Sequence, residues 1–136
     1  MEPRLALPSE LAAGASISGN EYGWPPSLFA DAACRAEALG FACLGGQFQF
    51  RAPAGICELY WLRAHSTDRQ PGENWHVYCE RSRTEVLRGF EQIMAETDFL
   101  QEAQQWQPLS AAMEQGLDVL STLFFVADFI AEPVGK

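Results

Sequence analysis

Residues 45–62 read GGQFQFRAPAGICELYWL and constrain the fold more than any other stretch of the chain. Apolar and polar side chains alternate on both sides of RAPAG, which is the pattern of two antiparallel strands joined by a turn. Extended by their apolar neighbours, the strands cover residues 41–50 and 56–64. Gly45 and Gly46 predict a bulge, or a point where a neighbouring side chain approaches closely. A β-hairpin is therefore expected at the centre of the fold.

Helical periodicity flanks this hairpin on both sides. Apolar residues recur at helical spacing over residues 27–39, and Gly40 follows where a left-handed C-terminal cap is expected. The clearest helix covers residues 74–96, with Asn74 as a good N-cap ahead of a continuous apolar stripe. We therefore predict an α+β domain, in which a small antiparallel sheet centred on residues 41–64 is packed by these two helices.

The two ends of the chain carry weaker patterns. Residues 1–20 are rich in Ala, Ser, Gly and Pro without a sustained period, so we expect a loosely ordered leader before one globular domain over residues 21–136. Asp98 begins a short helix with a capping box. The final apolar run, residues 117–131, fits either a helix or a buried strand. We favour the helix, which makes the C-terminal region helical.

The charge balance limits the classes of partner. Nine basic residues against eighteen acidic ones give a net charge of −9. This balance disfavours nucleic acid and anionic membrane surfaces, because both are bound through Lys and Arg. The excess is concentrated in residues 89–136, where eight acids accompany Lys136 as the only base. A surface of one sign keeps a protein in solution or attracts a basic partner.

Motifs for a metal, a cofactor or catalysis are not found in the sequence. The four cysteines form no CxxC pair and have no zinc-finger spacing, and His76, Cys79 and Glu80 on one helix supply too few converging ligands. No thiol has a local histidine and orienting group, and phosphate-binding and hydrolase motifs are missing. With no signal peptide and no run of about 18 apolar residues, we expect a cytoplasmic protein without a cofactor.

Two loops combine acids with aromatic residues, and both are candidates for contact with a partner. The loop SGNEYGWPP contains Glu21, Tyr22 and Trp24, and the loop STDRQPGENW contains Asp68 and Glu73. Loops of this composition suit recognition of another protein. The alternative is that their tryptophans attach the following helices to the sheet.

The hairpin itself adds a second set of candidates. Gln47, Gln49 and Trp61 share one strand face, which is typical of a recognition surface and equally of a sheet half-covered by a helix. A turn over residues 51–55 without a bulge places Glu58 on the opposite, apolar face. Glu58 is then either buried beside a partner such as an arginine, or moved by a bulge to the glutamine face.

The blocks LGGQFQF, CELYWL, RQPGENW and TDF resemble small bacterial immunity-type proteins that are encoded beside polymorphic toxins. In those families, short α/β proteins bind and inactivate a cognate toxin domain. The resemblance covers residues 22–130 in layout and implies an acidic, compact, cytoplasmic protein without a cofactor. The expected function is non-enzymatic binding of a cognate protein, such as a basic toxin domain.

Two other functions remain open at this point. The first is a small enzyme or ligand-binding domain with a pocket near Glu58, Tyr60 and His65. The second is a structural subunit that forms a homodimer.

Overall fold

A five-stranded antiparallel sheet organises the chain in the computed structural model, which describes residues 7–133. The strand order is β1-β2-β5-β3-β4, so the last strand lies between the second and the third. The α+β class predicted from the sequence is confirmed. The elements, in chain order, are α1 (Ser9–Ala12), β1 (Ser16–Ser18), β2 (Glu21–Trp24), α2 (Pro26–Ala38), β3 (Phe41–Ala52), β4 (Gly55–His65), α3 (Trp75–Glu96), α4 (Phe99–Gln104), α5 (Gln107–Glu114) and β5 (Leu123–Ala131), with a short 3-10 helix (Val119–Thr122) before β5.

The central hairpin is confirmed, but its register differs from the expected one. Ala52 pairs with Gly55, so the turn contains only two residues and not the five residues of RAPAG. Glu58 therefore lies opposite Gln49 instead of Phe48. Because side chains alternate along a strand, this shift of one residue moves Glu58 to the glutamine face. Glu58 is exposed there, so the second of its two predicted positions, on the glutamine face, is the observed one, and the register of the turn places it there instead of a bulge.

The glycine pair of β3 has both of the predicted effects. The ladder between β3 and β5 shifts its register between Cys43 and Gly45, which is a β-bulge, and Gly45 has a φ of +140°. At Gly46, a Cβ atom would lie 2.3 Å from the backbone oxygen of Val126 and 2.8 Å from the ring of Phe125. Only glycine permits β5 to come this close.

The core is a cluster of phenylalanine rings between the sheet and one layer of helices. Five elements contribute one ring each, neighbouring centroids are 4.5–5.5 Å apart, and none of the five side chains is more than 7% exposed. These distances are those of favourable tilted and offset ring pairs. The rings belong to Phe29 (α2), Phe48 (β3), Phe90 (α3), Phe99 (α4) and Phe125 (β5).

The C-terminal region is partly as predicted. Residues 99–114 form two helices, and Asp98 caps the first by accepting a hydrogen bond from the backbone N–H of Gln101 at 3.1 Å. The helix favoured for residues 117–131 is wrong, because Leu123–Ala131 forms β5. This strand pairs on both edges and is buried along most of its length. The sequence of such a strand is a continuous apolar run, and periodicity cannot distinguish this run from a buried helix.

Part of the expected leader belongs to the fold. Leu11 of α1 is fully buried in the core, and β1 pairs with β2 at the edge of the sheet. Residues 7–20 thus differ from the loosely ordered segment that their composition indicated, whereas residues 1–6 lie outside the described residues. Elements of three or four residues are too short to produce a periodic pattern.

We expect Phe125→Ala to lower the free energy of unfolding by about 3–5 kcal/mol, because it removes a ring at the centre of the cluster and leaves a cavity. Urea denaturation monitored by circular dichroism measures the change. Val77→Ala is the matched control, since Val77 is 52% exposed on α3, and it should change stability by no more than about 0.5 kcal/mol. Equal effects of the two substitutions would contradict this account of the core.

Candidate functional site

The sheet face opposite the helices, called here the open face, carries a polar depression of about 340 Å³. Its floor is formed by β3 and β5, and its walls include charged groups of both signs. The lining residues are Glu21, Leu44, Gly45, Gly46, Gln47, Gln49, Glu58, Arg63, His65, Val126 and Asp128.

Arg51 connects four strands across this open face. From β3 it donates hydrogen bonds to Oε1 of Gln49 at 2.7 Å and to the backbone oxygen of Ser16 at 2.7 Å. Its guanidinium also lies 5.9 Å from the ring centroid of Phe124, passes over Gly23 and contacts the backbone oxygen of Glu21. Burial lowers the pKa of Arg51 below its usual value, while the charge of Glu21 opposes this shift.

This network changes the meaning of one predicted contact. Gln49 is only 1% exposed, since Arg51 bonds to its side chain from above. Gln49 therefore supports the network on the open face, and little of its side chain is accessible to a partner. Gln47 is half-buried and donates to Oε1 of Glu58 at 3.0 Å, so it remains accessible at the rim of the depression.

The ligand pocket expected near Glu58, Tyr60 and His65 is divided by the structure. Glu58 and His65 both line the open face, but they lie opposite Gln49 and Gly45, which are about 13 Å apart along β3 at strand rise. Tyr60 lines a second depression, which it shares with Glu58 but not with His65. A direct proton transfer between the carboxylate and the imidazole requires hydrogen-bond contact, which this separation prevents.

Neither a metal centre nor a membrane span is found among residues 7–133. No group of three or more His, Cys, Asp or Glu side chains within this range could hold a metal ion. The helices in the same range are too short or too polar to cross a bilayer. All four cysteines are free thiols.

The loop between β4 and α3 is held by an arginine and two carboxylates. Arg81 of α3 contacts Glu73 at 2.8 Å and Glu85 at 3.1 Å, and it donates to Oγ1 of Thr67 at 2.6 Å. The hydrogen bond from Arg81 lowers the pKa of Glu73 to about 2. Glu73, predicted as a partner contact, thus forms an ion pair with Arg81 of the same chain. Asp68 in the same loop is exposed.

The loop before α2 is also more structural than expected. Trp24 is fully buried and packs edge-on against Phe129 with ring centroids 5.6 Å apart, which supports the interpretation that it attaches its helix to the sheet. Tyr22 is half-buried and accepts a hydrogen bond from the backbone N–H of Leu7. Glu21 alone of the three predicted residues is exposed, at the rim of the open face.

The strongest candidate site is a groove along the free edge of β4, called here the edge groove. It has a volume of about 430 Å³ and lies between β4 and the turn that joins α4 to α5. Its lining residues are Ile56, Cys57, Glu58, Leu59, Tyr60, Trp61, Glu102, Gln105 and Trp106.

A three-residue bulge presents two large aromatic side chains at one end of this groove. Neighbouring residues of β3 pair with Leu59 and Arg63, so residues 60–62 have no partner on that strand. Tyr60 is 61% exposed and Trp61 is 57% exposed, and their rings meet edge to face with centroids 5.6 Å apart. The predicted contact residue Trp61 is therefore at the surface, where it lines one end of the edge groove.

The electrostatics of the edge groove are one-sided. Its two charged residues are Glu58 and Glu102, and no Lys, Arg or His is among the side chains that line it. Burial raises the pKa of the Cys57 thiol, and the nearby Glu102 raises it further. A raised pKa disfavours the thiolate, which is the nucleophilic form of cysteine.

Sequence reasoning missed the groove residues contributed by α4 and the turn after it. Glu102 and Trp106 lie 37 and 41 positions beyond the end of β4 in the chain, and no local pattern relates them to it. The available signal was Tyr60-Trp61, because two adjacent aromatic residues break the alternation of β4. No protein-family model, curated protein or solved structure matches this chain.

We expect the ion pair of Glu73 to stabilise the protein above pH 4.5 and to lose this effect as the pH falls. The pKa is about 2 in the folded state and 4.5 ordinarily, so the unfolded chain binds the proton first and acid favours unfolding between these values. In the variant Glu73→Gln, the midpoint of urea denaturation should decrease less as the pH falls through that range. Glu80→Gln, an exposed acid on α3, should leave the decline unchanged, and a similar effect of both would contradict the assignment.

Proposed function

We propose that this chain is a non-enzymatic binding protein that neutralises a cognate protein by direct contact, in the manner of an immunity protein. The observation that carries the proposal is the exposed Tyr60-Trp61 pair at the bulge of an edge strand. Tyr and Trp provide a large contact area with few rotatable bonds, and they dominate the energetics of protein interfaces.

The placement of the two rings supports recognition over a role in packing. A bulge re-aims side chains away from the regular ladder, and here it directs Tyr60 and Trp61 outward beside a groove. The core of the protein is complete without them, since neither ring approaches the phenylalanine cluster. Two adjacent exposed aromatic side chains next to a concave surface are the kind of patch that marks an interaction site.

Charge indicates the chemistry of the partner. The edge groove is acidic, and the chain from residue 89 to residue 133 contains eight acids and no base. A protein with a basic surface complements this field, and a toxin that acts on nucleic acid has such a surface because it must bind phosphates. Masking that surface in the cytoplasm would block the toxin without any reaction by the present chain. The resemblance of LGGQFQF and CELYWL to immunity-type proteins is in line with this proposal.

We expect Trp61→Ala to weaken the complex with the product of the adjacent gene by about 30-fold or more, since Trp61 is a central aromatic anchor. The two purified proteins are compared by isothermal titration calorimetry. Ile17→Ala is the matched control, because Ile17 is equally exposed at 57% but lies on β1 at the opposite edge of the sheet. Failure of the wild-type chain to bind or inhibit that product would exclude it as the partner and count against the immunity proposal.

The association rate with a basic partner is expected to fall about tenfold or more between low and physiological salt, since mobile ions screen long-range attraction. Stopped-flow mixing that follows tryptophan fluorescence measures this rate. The double substitution Glu58→Gln with Glu102→Gln should slow association at low salt and reduce the dependence of the association rate on salt concentration. A rate independent of salt would contradict electrostatic steering by the acidic groove.

A further inference from the structure

We infer that the edge groove receives an extended, basic segment of the partner, which pairs with β4 as a sixth strand. This inference rests on the proposed function, because it names the part of the partner that the aromatic site recognises. Three features of β4 support it: a free edge, a groove beside that edge, and an acidic lining.

The outer edge of β4 is available for pairing. In the part of the chain that the structure describes, β4 pairs with β3 alone and ends the sheet. In an antiparallel strand, every second residue directs its N–H and C=O away from the existing partner, so an unpaired edge is a template for another strand. The regular portion before the bulge, Gly55–Leu59, is about 17 Å long at strand rise.

Two of the usual protections of an edge strand, Lys and Pro, are missing from the stretch that leads to the bulge. Proteins commonly place Lys or Pro on exposed edges to prevent pairing with other chains. The sequence from Gly55 to Trp61 is GICELYW, which contains neither residue type, and its only charge is Glu58. Ile56 adds an exposed β-branched side chain at 46%. An edge left open in this way suits pairing with an intended partner.

The groove beside the edge has defined ends. At one end, the indole of Trp106 approaches Gly55, where a Cβ atom would lie 3.6 Å from it. At the other end, Tyr60 and Trp61 project from the bulge. A segment with alternating side chains would direct its apolar residues toward Trp106 and Cys57, and its other residues toward the open face.

Charge selects the occupant. Glu58 on the open face and Glu102 on α4 both line the groove, and Gln47 is the one side chain that donates a described hydrogen bond to Glu58. Basic side chains at alternate positions of an added strand would therefore contact Glu58. Glu102 lies in the same groove and adds a second negative charge. Pairing of two copies through β4 would instead bring these acids toward their counterparts, which is unfavourable for like charges across a ladder. A basic partner is favoured over a second copy on this ground.

The test is a titration of the isotope-labelled full chain with acetyl-Lys-Val-Lys-Val-Lys-Val-amide at millimolar concentration, followed by NMR. We expect shifts and slowed hydrogen exchange at the amides of residues 55–59 and shifts at the indole N–H signals of Trp61 and Trp106. Two control peptides share the length: one with Glu in place of Lys, and one N-methylated at alternate backbone amides, which cannot complete a ladder. Neither control peptide should bind, and Trp61→Ala should lower the affinity for the lysine peptide about tenfold or more.

Several outcomes would overturn the inference. Binding that survives backbone N-methylation, shifts confined to α3 or the open face, or no response of residues 55–59 would each exclude strand addition of a basic segment. Self-association of the chain through β4, detected by light scattering and lost in Trp61→Ala, would assign the edge to a second copy. Inhibition of the adjacent gene product tests the proposed function separately, so a complex that forms without protection of residues 55–59 would preserve that function and reject strand addition.

Discussion

The pairing of Ala52 with Gly55 is the constraint on which the arrangement of both sheet faces depends. Because side chains alternate along a strand, this two-residue closure directs Phe48 toward the helices and assigns Gln49 and Glu58 to the open face. A closure one residue longer would direct a carboxylate into the phenylalanine cluster, where burial of an unpaired charge is strongly unfavourable. The turn thus determines the composition of the core and the acidity of the edge groove together.

The central position of β5 follows from the same requirement for burial. The strand is apolar on both faces, so it is stable only between two other strands and beneath the helices. Gly46 permits its close approach to β3, and Phe125 then occupies the centre of the ring cluster. Because β5 lies inside the sheet, the hairpin β1-β2 lies on one side of it and the hairpin β3-β4 on the other. The strand β4 therefore forms an edge of the sheet. The edge groove is therefore a consequence of how the C-terminal strand is buried.

Local chemistry predicted the hairpin, the caps at Asn74 and Asp98, and the two main helices, since each depends on residues that are near neighbours in the chain. It failed where tertiary pairing decides. The strand β5 could not be separated from a helix by periodicity, and the sequence could not decide whether Trp24 is a contact residue or is buried, as it is against Phe129. The bulge that exposes Trp61 depends on a ladder register that no short window of sequence contains.

An open strand edge is usually a liability, because identical chains can pair through it. In this protein, Glu58 and Glu102 line the edge, and the acidic surface from residue 89 onward adds repulsion between copies at long range. The same field attracts a basic segment and raises its local concentration beside the groove. In the proposed complex, acidity would thus give discrimination as well as attraction, since one set of charges would disfavour self-pairing and favour the partner. An edge protected by lysine would avoid aggregation equally well, but it would repel the basic chain that we propose it receives.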